Sequence, residues 1–171
     1  EVDYKFRFGQ LHSHTNVSDG TGTPDDAYTW ARDKGKADFF AVTDHSNWFD
    51  AELDNEDITD INQSTSTKWK LLHEKANHYN KPGEYVALAG YEMTWSGSTG
   101  GWGHMNTFNT PWFASRTNKD MDLPAYYEKI AQWPESINQL NHPGKTFGDF
   151  SDFGFYSEET DNVVQLIEVG N

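Results

Sequence analysis

The chain has 171 residues and no cysteine, with 27 acidic against 13 basic side chains and a formal net charge of −14. That length allows one domain with a real core, and 15% aromatic residues supply material for it. The lack of cysteine excludes disulfides and thiolate metal sites, no apolar run is long enough to span a membrane, and an acidic balance without an obvious basic face argues against gripping nucleic acid through its phosphates. Richness in Asn, Thr, Ser and Trp leans towards an extracellular or cell-surface setting over a cytoplasmic one.

In chain order, Lys5 to Leu11 reads as a strand, with Phe6 and Phe8 alternating against Lys5 and Arg7. His12 and His14 follow at its carboxyl end. At a spacing of two their side chains point the same way, so two imidazoles can meet one ion. Thr23-Pro24-Asp25-Asp26 is a helix start, with Thr23 as N-cap, Pro24 in the first turn and acids against the helix dipole. Ala27, Trp30 and Ala31 are the expected inward stripe, and Gly35 the expected stop. Ala37 to Thr43 reads as a buried apolar strand ending at Asp44-His45. Strand, helix and strand make a βαβ unit whose polar groups lie past the carboxyl ends of both strands, where α/β folds bind ligands.

Residues 46–63 are polar and acidic and read as a surface loop. Their Glu56-Asp57-Ile58-Thr59-Asp60 run is a solvated face rather than a calcium loop, since it lacks spaced oxygens and a turn glycine. Residues 64–80 read as a helix with Trp69, Leu72, Ala76 and Tyr79 on one stripe and Ser64 or Ser66 as cap. His73 and His78 are five apart, poor spacing for sharing an ion, and read as surface or packing residues. Glu84 to Gly90 is the next strand and delivers Tyr91 and Glu92. Residues 95–103 form a Gly/Ser-rich loop, and His104 to Phe108 a short strand. Asp122 caps a helix through about Trp133, and Ser136 to Leu140 is a strand ending in Asn141-His142-Pro143. An aromatic, acidic loop over 144–161 leads to a last strand, Val163 to Val169. Every strand except the last hands a His or Glu to the same kind of place, which one shared site explains.

His12, His14, Asp19, His45, Glu92, His104 and His142 supply five imidazoles and two carboxylates. Nitrogen and carboxylate donors without sulfur suit zinc, manganese or iron. Seven side chains exceed the needs of one tetrahedral ion, and Glu92 is the best candidate for a carboxylate bridging two. Asp19, within Ser18-Asp19-Gly20, is either a ligand or a turn residue. Asp44 reads as a partner that orients a ligand imidazole. Glu168 is either a buried partner or a group facing the site. Trp95 and Trp102 either line the mouth or pack on the base of their own loop. Lys145 either holds a substrate oxygen or is solvated.

The ordered set His12-Ser13-His14-Thr15, Ser18-Asp19-Gly20, Thr43-Asp44-His45, Gly90-Tyr91-Glu92, Gly103-His104-Met105-Asn106, Asn141-His142-Pro143 and residues 167–171 (IEVGN) resembles the polymerase-and-histidinol-phosphatase (PHP) family, in its carbaryl-esterase-like branch. The resemblance implies a distorted (β/α)7 barrel and up to three divalent transition-metal ions. His12, His14 and Glu92 would hold one, Asp19 and His45 a second, and Glu92, His104 and His142 a third. Many members carry His where this chain has Asp19. The implied activity is hydrolysis of a small-molecule phosphate mono- or diester by metal-activated hydroxide, with His14 a candidate for protonating the leaving group. The alternatives are a carboxylic or carbamic ester hydrolase on the same site, or a non-catalytic, metal-stabilised binding module. The family's late Asp-x-His finds no match after His142. Residues 1–171 are therefore expected to be the amino-terminal portion of one such domain, with the barrel incomplete at its C-terminus and the activity weak or absent.

Overall fold

The computed structural model describes residues 4–51, 57–155 and 157–170. Six strands form one sheet in chain order: β1 (Gly9–Gln10), β2 (Phe39–Val42), β3 (Val86–Thr94), β4 (His104–Phe108), β5 (Ile137–Asn141) and β6 (Val164–Ile167). β1, β2 and β3 pair in parallel, as do β5 and β6, whereas β4 runs antiparallel to both neighbours. The fold is therefore mixed α/β. The reversal of β4 follows from its connection: the Gly/Ser-rich stretch after β3 is too short for a crossover helix, so the chain turns back as a hairpin.

Three helices cover one face of the sheet. The first, α1 (Pro24–Asp33), starts from a capping box in which Thr23 and Asp26 satisfy each other's backbone donors. Its buried residues are Pro24, Tyr28 and Ala31, an i, i+4, i+7 stripe. Trp30, expected inside, is 64% exposed, and Tyr28 takes its place with its hydroxyl donated to the Leu88 carbonyl at 2.7 Å. The second, α2 (Thr67–Tyr79), is capped by Ser66 and buries Trp69, Leu72 and Ala76. The third, α3 (Leu123–Ala131), is capped by Asp122 and buries Leu123, Tyr126, Tyr127 and Ile130. Along β3 the side chains alternate: Tyr91 and Met93 pack into the layer shared with the helices, where Tyr91 meets Trp69 edge-on, while Glu92 faces the other way.

The opposite face is curled. In a flat sheet five strand spacings would separate the edge strands by roughly 24 Å. Yet His12, just after β1, lies 3.2 Å from Glu168, just after β6, through Nδ1 and Oε2. Asn106 on β4 likewise donates Nδ2 to the Leu11 carbonyl at 2.9 Å. The concave side thus gathers the carboxyl ends of β1, β2, β3, β5 and β6 and, because β4 is reversed, its amino end.

Several expected elements are shorter or differently bounded. The strand expected over Lys5 to Leu11 narrows to two residues, because Arg7 and the Phe8 amide bond the Asp38 carboxylate instead of a ladder partner. The strand expected to end at Gly90 continues to Thr94, so Glu92 sits inside it. Residues 52–56 of the acidic loop, residue 156 and residue 171 lie outside the described residues, and so does part of the reading made for each of their segments. Asp60 caps a single 3-10 turn, Ile61–Gln63. The expected loop over 144–161 contains a left-handed turn at Phe150–Phe153 and one helical turn at Glu158–Asp161. No helix of the described residues is long and apolar enough to cross a membrane.

Candidate metal centre

Glu92 stands at the middle of the concave face, 1% exposed, with five imidazoles around its two carboxylate oxygens. Oε1 faces His12 Nε2 at 3.2 Å, His104 Nδ1 at 3.3 Å and His142 Nε2 at 3.6 Å. Oε2 faces His45 Nδ1 at 2.8 Å and His14 Nε2 at 3.5 Å. Asp19 closes the far side, 3.4 Å from His45 Nε2 and 3.8 Å from His14 Nδ1. All seven side chains singled out from the sequence therefore meet in one cleft of about 750 Å³. They fall into three mutually close groups: His12, His14 and Glu92; His14, Asp19 and His45; and Glu92, His104 and His142. A fourth group joins His12 and His142 to Glu168.

Local backbone chemistry sets these positions. Gly20 turns the chain so tightly after Asp19 that a Cβ there would lie 2.3 Å from the His14 carbonyl oxygen. Gly103, immediately before His104, has φ +138 and packs on the Phe150 ring, which a Cβ would meet at 2.7 Å. His104 opens β4 rather than ending it, and the reversed strand brings it level with Thr94 and Asn141. Asp44 does not orient an imidazole through a hydrogen bond. It accepts from the amides and hydroxyls of Thr15 and Ser18, at 2.6–3.1 Å, and so anchors the turn between His14 and Asp19.

The electrostatics are dominated by Glu92. Burial opposes its charge, but the close imidazoles of His104, His12, His142 and His45 outweigh burial and hold the carboxyl far below the usual range. Burial likewise disfavours the charged forms of His12 and His45, yet Glu92 overrides it and both imidazoles are raised. For His14 burial prevails, with help from the neighbouring His45 and His12, and its pKa is lowered.

The donor set fits divalent cations. His14 Nδ1, His45 Nδ1, His142 Nδ1 and Glu92 Oε2 are buried with no hydrogen-bond partner among the described residues. An unsatisfied buried polar atom costs about 1–3 kcal/mol. The 2.8 Å approach of His45 Nδ1 to Glu92 Oε2 leaves both atoms in that set, so they are close without being aligned on each other. Converging lone pairs of this kind suit cations placed among them.

The sequence reading missed the polar layer beneath the cluster. Asn141 donates Nδ2 to Glu92 Oε1 at 2.9 Å and accepts Gln139 Nε2 at 3.0 Å. The signal was present as polar residues at 139 and 141, a spacing of two within a strand. Glu168 shows that the last strand also contributes to the site. Arg116 lies nearby: it donates to Thr94 Oγ1 at 3.2 Å, and its charge acts on His45. The tryptophans do not line the cleft. Trp95 is 1% exposed and bonds the Met121 carbonyl, and Trp102 packs against Phe155. Phe147 takes the mouth instead, its ring centroid 5.1 Å from that of His104 and 4.8 Å from that of His142. Lys145 is exposed and His73 packs edge-on against Trp69, both away from the cleft lining.

A family model described as a protein of unknown function (DUF3604) matches residues 49–111. No curated protein matches the chain. Among solved structures the chain is similar to a two-domain protein from Bacteroides vulgatus ATCC 8482 described as containing a predicted PHP-like metal-dependent phosphoesterase, at 18% identity and a TM-score of 0.47. That match covers 81% of this chain and 35% of the other.

Proposed function

We propose that this chain is a metal-dependent hydrolase of phosphate mono- or diesters, with a PHP-type centre built around Glu92. The observation that carries the reading is one buried carboxylate whose two oxygens face five imidazoles from four strand ends. The motif series from His12 to Glu168 supports the family, and the meeting of both sheet edges at His12 and Glu168 supports a barrel that curls towards the (β/α)7 type. Nitrogen and carboxylate-oxygen donors without sulfur suit zinc, manganese or iron.

In this reading His12, His14 and Glu92 would hold one ion, Asp19 and His45 a second, and Glu92, His104 and His142 a third. Such ions supply Lewis-acid polarisation of ester oxygens and lower the pKa of water at the site. The protein's own work is to hold these donors rigidly and to admit an anionic group. Glu92 and Asp19 provide negative charge against the ions, Asp44 and Asn141 fix the segments that carry the ligands, and Arg116 offers a cation at the rim for an ester oxyanion. His14 has Nε2 toward Glu92 and Nδ1 toward Asp19. With Nε2 given to an ion, the proton of the neutral ring would sit on Nδ1, beside Asp19, and His14 stays the candidate for protonating the leaving group.

Purified chain loaded in turn with zinc, manganese and iron should hydrolyse chromogenic phosphate esters at a low rate, and chelation or Glu92→Gln should abolish that turnover. Cleavage of a carboxylic ester alone would replace this reading with the esterase one. Metal uptake with no turnover of any ester would leave a binding module.

A further inference from the structure

We infer that Glu168 is a positioning residue of the centre: it holds His12 in the tautomer that leaves the Nε2 lone pair for an ion among His12, His14 and Glu92, and it fixes the backbone that carries His142. The inference rests on the reading of this cluster as a metal site.

The His12 ring lies between two carboxylates. Nε2 is 3.2 Å from Glu92 Oε1 and 3.1 Å from His14 Nε2. Nδ1, on the other side of the ring, is 3.2 Å and 3.4 Å from the two oxygens of Glu168. A neutral imidazole has one N–H and one lone pair, and an ionised carboxylate can only accept. Both ring nitrogens face a carboxylate, but Nδ1 meets both oxygens of Glu168, whereas Glu92 Oε1 already accepts from Asn141 and a cation among His12, His14 and Glu92 would claim the Nε2 lone pair; together these place the proton on Nδ1, donated to Glu168. A carboxylate behind a ligand histidine both orients the ring and raises its basicity.

Glu168 could instead be read as a ligand, since it forms a close group with His12 and His142. The geometry disfavours this. An ion taken by His12 Nδ1 would either withdraw His12 from the Glu92 group or strip both protons from the ring. Glu168 Oε2 is moreover already engaged, accepting the His142 amide at 3.1 Å. That amide matters because His142 has φ +30, a conformation that residues with a Cβ rarely adopt. The Glu168 amide donates in turn to the Leu140 carbonyl at 2.8 Å, which ties the carboxylate to β5. One side chain thus sets an imidazole following β1 and another following β5. The sheet's curl makes this possible, and no local pattern around residue 168 announces it.

The test compares wild type, Glu168→Ala and Glu168→Gln by zinc and manganese titration and by long-range 15N–1H spectra of His12 in metal-free protein at alkaline pH. In wild type the His12 proton should reside on Nδ1. Glu168→Ala should mix the two tautomers and weaken metal binding roughly 10–100-fold. Glu168→Gln, whose carbonyl oxygen can still accept from both donors, should recover most of the affinity and the Nδ1-protonated form. Glu168→Ala with an unchanged tautomer and unchanged affinity overturns the inference. If Glu168→Ala fails to fold, the Gln variant decides alone: a loss as severe as that from removing Glu92 would make Glu168 a ligand and overturn the positioning role. A wild-type chain that takes up neither ion, yet shows the Nδ1 proton, would sink the metal reading instead, a distinct failure.

Discussion

Asn141 donates its side-chain amide to Glu92 Oε1 at 2.9 Å, and the same oxygen faces His12, His104 and His142. The bond is buried and runs from β5 to β3 across β4, so it sets the direction in which the carboxylate presents its lone pairs. Replacing Asn141 with Leu keeps the branched shape, in a somewhat larger side chain, but removes the donor to Glu92 and the acceptor for Gln139. We expect Asn141→Leu to fold and to bind zinc or manganese roughly 10–100-fold more weakly, measured by competition with a chromogenic chelator. Equal affinity would mean that the imidazoles alone orient Glu92.

Asp44 is fully buried and accepts four hydrogen bonds from Thr15 and Ser18. Asp44→Ala should therefore lower stability by at least about 3 kcal/mol in urea titrations, because it orphans several buried donors at once. Asp44→Asn keeps one acceptor oxygen and should lose less. Both should release the ion associated with Asp19 before that associated with His104 and His142, since only the former group hangs on the anchored turn.

His73 provides a pH dependence independent of the metal centre. Its ring is half-buried against Trp69, with Nε2 buried and unpartnered among the described residues, and burial pushes its pKa down from 6.5 to about 4. The unfolded chain therefore takes up a proton below about pH 6.5, whereas the folded protein resists until about pH 4. Stability is unaffected above that window, falls as pH drops through it and is flat below it. The loss amounts to up to about 3 kcal/mol. His73→Leu should remove this component: its stability relative to wild type should rise as pH falls from 7 to 4, read from urea midpoints. A constant difference across that range would contradict the assignment.

Arg116 donates to Thr94, which lies on the same face of β3 as Glu92 and in register with His104. It forms no ion pair with a carboxylate among the described residues. A guanidinium close enough for its charge to act on His45, in a chain carrying −14, suits an oxyanion. Arg116→Ala should leave the metal content unchanged while weakening competitive inhibition by inorganic phosphate about 10-fold or more, in line with loss of a charged hydrogen bond. Unaltered phosphate inhibition would remove Arg116 from the substrate site.

Local chemistry in the sequence determined the caps at Thr23, Ser66 and Asp122, the buried stripe Trp69-Leu72-Ala76, the strand His104–Phe108, and the pairing of His12 with His14 on one side of the chain. Each of these depends on residues a few positions apart, where period and hydrogen-bonding capacity leave little choice. The tertiary structure decided what depends on vectors between distant segments. The reversal of β4 brings His104 to the site from the start of its strand, and the phase of α1 buries Tyr28 rather than Trp30. Trp95 lies in the core while Phe147 takes the mouth. Most of all, the curl of the sheet brings Glu168 onto His12 across 156 residues of chain. A sequence carries the period of a strand and the chemistry of its ends, but not the angle through which six strands turn, and that angle made one site out of both edges.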